Sequence, residues 1–337
     1  MFNEFFLILI VNLLIYFNHH KIIKLYNLYD FPDKKRKIHN KKTSLLGGFI
    51  FILNFIFFSI LIFSSDNFVL TDLIFFKNLG NYLIFFFVST CFFLLGYFDD
   101  RYDLNANIKI LIIISLTLFI LYFDQNLQIK NINFSFSDKV LNIDRFVFLF
   151  SLFCFVAFIN AFNLYDGINL QTGIYFLFIL IILLFISNYN SFIIFLFFPL
   201  FLFMALNSRG KIFFGNSGTY LVSFVISYLF IKCFNLFESI FSDQILALML
   251  IPGLDMIRLF LTRLKSKKHP FSPDKNHIHH KFLEIFGYNK TILFISILSI
   301  IPFLFLVLFK TYLVLIFSIL IYFLIISNLD KLIKSHK

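Results

Sequence analysis

The chain has no tryptophan, only three cysteines, and charge on just 14% of its 337 residues. Cys91, Cys154 and Cys233 each lie alone in apolar surroundings, so they offer neither metal-ligand spacing nor an evident disulfide. With 60% hydrophobic residues and a mean hydropathy of +0.90, the apolar surface exceeds what a soluble core can absorb. Alternating segments of about ten residues, the mark of a membrane β-barrel, are missing. Solid apolar runs of about 20 residues stand in their place. A helical bundle that satisfies its own backbone within the bilayer is therefore expected. The 57 phenylalanines, with abundant Ile, Asn and Lys, reflect a coding bias and carry no functional weight. No basic stretch precedes the first apolar run, so Met1–Phe17 does not read as a cleavable signal peptide. No inverted repeat of the transporter kind is evident.

What is present are eleven apolar runs: 2–17, 45–64, 79–98, 108–123, 145–162, 172–187, 191–206, 218–233, 243–260, 291–309 and 311–328. They predict an all-α fold, a polytopic bundle of about 10–11 transmembrane helices forming one integral membrane domain over 1–337. The net charge of +11 would suggest nucleic acid in a soluble protein. Here its placement gives a better account, and no nucleic-acid partner is expected. The side that holds 19–43 collects 23 of the 29 Lys and Arg residues. By the positive-inside rule that side is cytoplasmic, with the N-terminus outside and the C-terminus inside. The outside segments, such as 124–144, read as merely polar.

Every chemically suggestive polar segment falls on the basic side. In "GYFDDRYDLN", Asp99, Asp100 and Asp103 share a face if the third span continues helically. Clustered carboxylates suit Mg²⁺, which takes oxygen ligands and bridges to substrate phosphates, with Arg101 and Lys109 near enough in sequence to hold phosphate. The same acids read equally well as a solvated cap where the chain leaves the lipid. "INAFNLYDGIN" steps Asn160, Asn163, Asp166 and Asn169 along one helical stripe, which fits a site or packing between helices. "GKIFFGNSGTY" opens a helix after glycines; it suits an anion or a plain helix start. "HPFSPDKNHIHHKF" gathers His277, His279 and His280 beside Lys275 and Lys281. Cationic neighbours disfavour a metal there, while imidazole and ammonium donors suit a diphosphate; an exposed polar loop is the alternative. "RKIHNKKTSLLGG" adds His39, which alone reads as part of a positive-inside anchor. Together, carboxylates and phosphate-binding cations on one face suggest metal-assisted phosphoryl transfer to a membrane substrate. The rival class, a transporter, would place ionisable groups at mid-membrane depth, whereas these acids sit at span ends.

The order "RKIH…GG", "GYFDD…K", "NAFNLYDG", "KIFFGNSG", "PGLDMIR" and "PFSPDKNHIHHKF" resembles the polyprenyl-phosphate N-acetylhexosamine-1-phosphate transferases over about residues 30–285, with 291–328 as C-terminal helices. The His motif is similar to the branch that starts O-antigen, enterobacterial common antigen and teichoic acid linkage units; the peptidoglycan translocase branch typically ends in a different His-rich motif. The resemblance implies transfer of a sugar 1-phosphate from a UDP-N-acetylhexosamine to undecaprenyl phosphate with release of UMP. It also implies Mg²⁺ or Mn²⁺, and a bacterial inner-membrane location with the site in cytoplasmic loops; a dimer is among the open assembly states. Carried over by position, it makes Asp99 and Asp100 catalytic. It sets Asn163, Asp166 and Asn216 at the metal, and His39, Lys109, Asn169, Asp255, His277, His279 and His280 at the substrates. Three departures stand out. Asn216 replaces the family's metal-binding Asp, Asn169-Leu170 replaces a second Asp-Gly, and Ser44 replaces a common Pro. They keep a catalytically altered or inactive paralogue in view.

Overall fold

The computed structural model describes residues 2–32, 41–64, 75–76, 78–188, 190–237, 239–270 and 274–335. The helices in chain order are α1 (Phe2–Tyr26), α2 (Gly47–Ser64), α3 (Leu79–Tyr102), α4 (Ala106–Phe123), α5 (Val147–Tyr165), α6 (Gln171–Ile186), α7 (Ser191–Asn207), α8 (Gly215–Phe237), α9 (Ser242–Lys265), α10 (Ile278–Phe286), α11 (Tyr288–Leu304) and α12 (Thr311–Ser335). Among the described residues nine helices are long and apolar enough to cross a membrane, and α6 and α7 are shorter apolar helices. These eleven correspond to the eleven apolar runs. The chain is a multi-pass membrane protein with an all-α bundle. Helix α10 is the remaining one, a short amphipathic element in the 266–287 connection.

Helix α8 is the axis: Ser217 through Phe234 are all buried. Phe224 on α8 meets Phe92 of α3 at 4.7 Å, and Phe155 of α5 lies 6.3 Å away. In lipid, helices associate through close packing rather than hydrophobic exclusion, so small residues mark the tightest crossings. At Gly96 on α3, an added Cβ would lie 2.2 Å from the Asn216 carbonyl oxygen. That crossing brings the acidic end of α3 against the start of α8. Outer helices keep large apolar side chains exposed, among them Leu14 and Phe17 on α1 and Phe317 and Leu324 on α12, as lipid contact requires.

Two small sheets tie the ends. β1 (Tyr29–Asp30) pairs antiparallel with β2 (Thr43–Ser44), and Ser44 bridges to Ile212 just before α8. The Phe213 N–H donates to the Ser44 carbonyl at 2.8 Å, and the Gly47 N–H donates to the Phe213 carbonyl at 3.0 Å. At the opposite end β3 (Asn131–Phe134) and β4 (Ser137–Asn142) form a hairpin. Asp243 anchors it, accepting from the Ser135 N–H at 3.0 Å and its hydroxyl at 2.6 Å.

Two expectations need correction. The 124–144 segment is a folded hairpin rather than a merely polar connection. The loop expected from residue 19 onward begins later, because α1 continues through "NHHKIIKLY" to Tyr26 and stops where Asn27 takes φ +48°. That stretch is polar but contains no Gly or Pro to break the helix, and Lys24 favours its negative C-terminal end.

Candidate functional site

Asp99 and Asp100 occupy the last turn of α3 and point to different partners. Asp100 accepts the N–H groups of Asn216 at 2.9 Å and Ser217 at 3.1 Å. It therefore satisfies orphan donors at the N-terminus of α8, where the helix dipole favours an anion. Asp99 accepts from the Leu104 N–H at 3.0 Å and from Lys109 Nζ at 3.1 Å. It is 4% exposed, so it is a buried acid and not an exposed cap. Asp103 does not join them: α3 ends at Tyr102, and Asp103 turns to φ 50° as its exposed C-cap. The expected three-acid face is split because the helix stops one residue short. Among the described residues no group of three or more His, Cys, Asp or Glu side chains is arranged to hold a metal.

The α5 stripe divides as well. Asn160 bonds back to the Val156 carbonyl at 2.7 Å, within its own helix. Asn163 crosses to α8, donating through Nδ2 to Asn216 Oδ1 at 3.2 Å and to Thr219 Oγ1 at 2.7 Å. Asp166 follows the end of α5 and accepts the Thr172 hydroxyl at 2.5 Å. Burial pushes its carboxyl up to about 6, with the Thr172 hydroxyl opposing. Asn169 turns toward α7 and α11: its Oδ1 accepts from Asn207 Nδ2 at 3.4 Å, and its carbonyl accepts the Tyr288 hydroxyl at 3.1 Å.

The histidines reach this turn from α10. An added Cβ at Gly167 would lie 1.9 Å from His279 Nε2, so only a glycine admits the imidazole against the Asp166–Gly167 backbone. The His279 ring centroid lies 5.1 Å from that of His277 and 4.4 Å from that of His280. Burial holds His279 well below the usual imidazole range and His280 down at about 4, reinforced in both by the positive charge of neighbouring groups. Both are therefore neutral near pH 7 and act as hydrogen-bonding groups, not cations. The Nδ1 atoms of His277 and His279 are buried without a hydrogen-bond partner.

Asp255 fixes this histidine segment. It accepts from Arg258 Nη2 at 2.6 Å, from the Tyr322 hydroxyl at 2.8 Å and from the Ile278 N–H at 3.3 Å, with His277 Nδ1 at 3.6 Å. Arg258 also donates to the Asn276 carbonyl at 2.5 Å, and Lys281 pairs with Asp330 of α12. Thus α9 and α12 grip both ends of the motif.

The structure brings Asp100, Asn216 and Asn163 into one hydrogen-bonded chain, sets Lys109 on Asp99, and packs His279 on the Asp166–Gly167 turn. His39 lies outside the described residues. Thr172, Thr219, Arg258 and Tyr322 were missed as members of the site. Arg258 stands three residues after Asp255, a spacing that signals a pair on one helix face. Tyr322, 67 residues from Asp255, has no local signal.

The oxygen donors near α5 suit a hard cation chemically. Among the described residues the second Asp166 oxygen accepts no hydrogen bond, and neither does Asn163 Oδ1, one helical turn away. Asp99 and Asp100 already have compensating donors. The set carries one uncompensated negative charge, so substrate phosphate oxygens would have to complete the coordination.

Residues 82–234 match the family described as Glycosyl transferase family 4. An undecaprenyl-phosphate alpha-N-acetylglucosaminyl 1-phosphate transferase of Thermotoga maritima is 31% identical over 276 residues, which cover 80% of this chain and 78% of that protein. The protein of the same name from Escherichia coli O157:H7 is 29% identical over 199 residues, 55% of this chain and 54% of its own length. That from Escherichia coli K12 is 28% identical over the same shares. The match thus spans about half of the Escherichia coli relatives and more than three quarters of the Thermotoga one. On that extended likeness, the chain belongs to glycosyl transferase family 4, with the undecaprenyl-phosphate sugar-1-phosphate transferases.

Proposed function

We propose that this protein transfers an N-acetylhexosamine 1-phosphate from a UDP-linked donor to a polyprenyl phosphate, undecaprenyl phosphate by analogy with its relatives. The product is a polyprenyl diphosphate sugar, and UMP leaves. The observation that carries this reading is the contact chain from Asp100 through Asn216 and Asn163, with the Asp166–Gly167 turn against His279 beside it. It joins acidic oxygens, amides and buried imidazoles from four separate elements at the basic end of a membrane bundle. This end faces the cytoplasm of a bacterial inner membrane on the positive-inside rule, with the N-terminus outside. A first step in O-antigen or related surface-polysaccharide assembly is the corresponding role.

A phosphate oxygen of the polyprenyl phosphate attacks the β-phosphorus of the donor. The bond from that phosphorus to the bridging oxygen breaks, and the bridging oxygen departs with UMP. Little covalent work falls to the protein, so positioning and charge compensation dominate. Lys109, partly exposed beside buried Asp99, is placed to exchange its carboxylate partner for the lipid phosphate. Asp99 then orients that phosphate or takes its proton. Asp100 holds the start of α8 and with it Asn216. His279 offers an unpartnered Nδ1 atom to the diphosphate as a neutral hydrogen-bonding group, while His277 Nδ1 faces Asp255 at 3.6 Å. Mg²⁺ or Mn²⁺, held by Asp166 with Asn163 and Asn216, would neutralise charge on the diphosphate. Asn216 supports a weaker dependence of cation affinity on the protein alone than an Asp there would give.

The test is UMP release by membranes carrying the protein, supplied with undecaprenyl phosphate, Mg²⁺ and a panel of UDP-N-acetylhexosamines. Release that requires both substrates is expected with at least one donor. Folded protein that releases no UMP from any donor overturns the reading.

A further inference from the structure

A second cationic cluster lies at the same end of the bundle, on α1 and the α7–α8 turn, and the transfer reaction leaves it unused. Arg209 Nη1 donates to the Tyr16 hydroxyl at 2.8 Å. Lys211 Nζ lies 3.0 Å from His19 Nε2, while His19 Nδ1 lies 2.6 Å from the Tyr16 carbonyl. The carbonyl can only accept, so His19 carries its proton on Nδ1 and accepts from Lys211 through Nε2. These bonds fix both cations against α1 and leave their remaining N–H groups unassigned. His20, Lys21 and Lys24 are exposed on the same stretch. Among the described residues no carboxylate pairs with Arg209, Lys211, Lys21 or Lys24.

The adjoining face of α1, rotated from Tyr16 and His19, is apolar and outward. Ile10, Leu13, Leu14 and Phe17 are all exposed and recur at helical spacing, and the same stripe continues into His20, Lys21 and Lys24. The apolar strip is what any lipid-facing helix carries; what a scattered positive-inside signal does not need is the hydrogen-bonded anchoring of Arg209 and Lys211. We propose that this surface is a binding site for an anionic phospholipid of the surrounding leaflet. Its phosphate would meet Arg209, Lys211 and the α1 cations, and its acyl chains would lie along Leu13, Leu14 and Phe17. Apolar contact and phosphate recognition then act on one molecule. Because Lys211 directly precedes Ile212, which bridges to Ser44 ahead of α8, an occupied site would brace α1 against that connection.

The test does not depend on turnover. The full-length protein in mild detergent is titrated with dioleoylphosphatidylglycerol or dioleoylphosphatidylcholine, and bound lipid is read by native mass spectrometry. Phosphatidylglycerol should bind at least tenfold more tightly than phosphatidylcholine. Each cation removed should weaken it about fivefold, so R209Q/K211Q should lose roughly 20-fold. K21Q/K24Q, which alters only exposed side chains, should show a loss of the same order and guards against misfolding in the first variant. K130Q/K139Q, at the opposite end, should bind as the unaltered protein does. Equal binding of the two lipids, or full retention by both α1-end variants, overturns the proposal. Displacement of phosphatidylglycerol by millimolar inorganic phosphate would reduce the site to an ion contact. Displacement by stoichiometric undecaprenyl phosphate would assign it to the reaction's own substrate. Either result also overturns the proposal.

Discussion

Asp124 and Asp166 lie at opposite ends of the bundle and are treated differently: Asp124 is buried, while Asp166 is only half-buried. Asp124 is saturated: Lys232 Nζ lies 2.7 Å from Oδ2, the Tyr228 hydroxyl donates at 3.0 Å and the Asn126 N–H at 3.2 Å. Both ion-pair side chains are almost wholly inaccessible. Among the described residues Asp166 has one hydroxyl donor, a spare oxygen and no cation. A buried ion pair with every lone pair engaged can only hold structure, and breaking it strands a charge. An acid left under-satisfied beside other oxygen donors and imidazoles is arranged for something that arrives. The comparison separates a fastener from a site even though both contain the same functional group.

The contrast can be broken in order of expected effect. Lys232→Met strands Asp124 and should cost about 3–5 kcal/mol of stability, read as a lower melting temperature in detergent, while the folded fraction keeps its turnover. Adding Asp124→Leu should recover most of the loss. Asp166→Asn should do the opposite: melting unchanged or raised, and UMP release lowered by about 10²–10³-fold. Equal melting losses in the two single variants would erase the distinction.

Tyr322→Phe sharpens the comparison from a distance, since it removes one hydroxyl that donates to Asp255 and accepts from Arg258. A hydrogen bond to a charged group contributes about 1.5–3 kcal/mol. The expected result is a rise in KM for the UDP-sugar that exceeds any fall in kcat, because the histidine segment is loosened but not altered. Asn216→Asp should lower the Mg²⁺ concentration for half-maximal activity several-fold by adding a charged oxygen ligand. The pH effect is the smallest. The carboxyl of Asp166 is raised from the ordinary range to about 6, so its contribution to stability is fully present at low pH and fades as pH rises through 6. Cation binding runs the other way. Half-saturation by Mg²⁺ should need more metal at pH 5.5 than at pH 7.5, and Asp166→Asn should flatten that dependence.

Much of this architecture was legible in the residues. Hydropathy locates spans because lipid imposes a length and an apolar composition on each one, and all eleven runs became helices. Spacing also placed Asn163 and Asp166 one turn apart at the same end of α5, although their partners differ. What was not legible depends on partners far along the chain. The two α8 donors of Asp100 lie 116 and 117 residues away, and Tyr322 lies 67 residues from Asp255. No local period encodes such contacts. Of the two alternatives for the acidic turn, the solvated cap fails at Asp99, because Lys109 and the Leu104 amide make its burial tolerable. Asp103 was misassigned by a single residue of helix length. The extension of α1 to Tyr26 was missed because charge was taken as loop, although Lys and His are compatible with a helix that leaves the lipid.

The central claim is that one phosphorus atom moves from nucleotide to lipid. Purified protein should be given undecaprenyl phosphate and the accepted UDP-sugar labelled with ³²P at either the α or the β position, and the label followed into butanol-extractable lipid. The account predicts β-label in the lipid together with the sugar and α-label wholly in UMP. Label from either position released as inorganic phosphate, or α-label carried into the lipid, would contradict it.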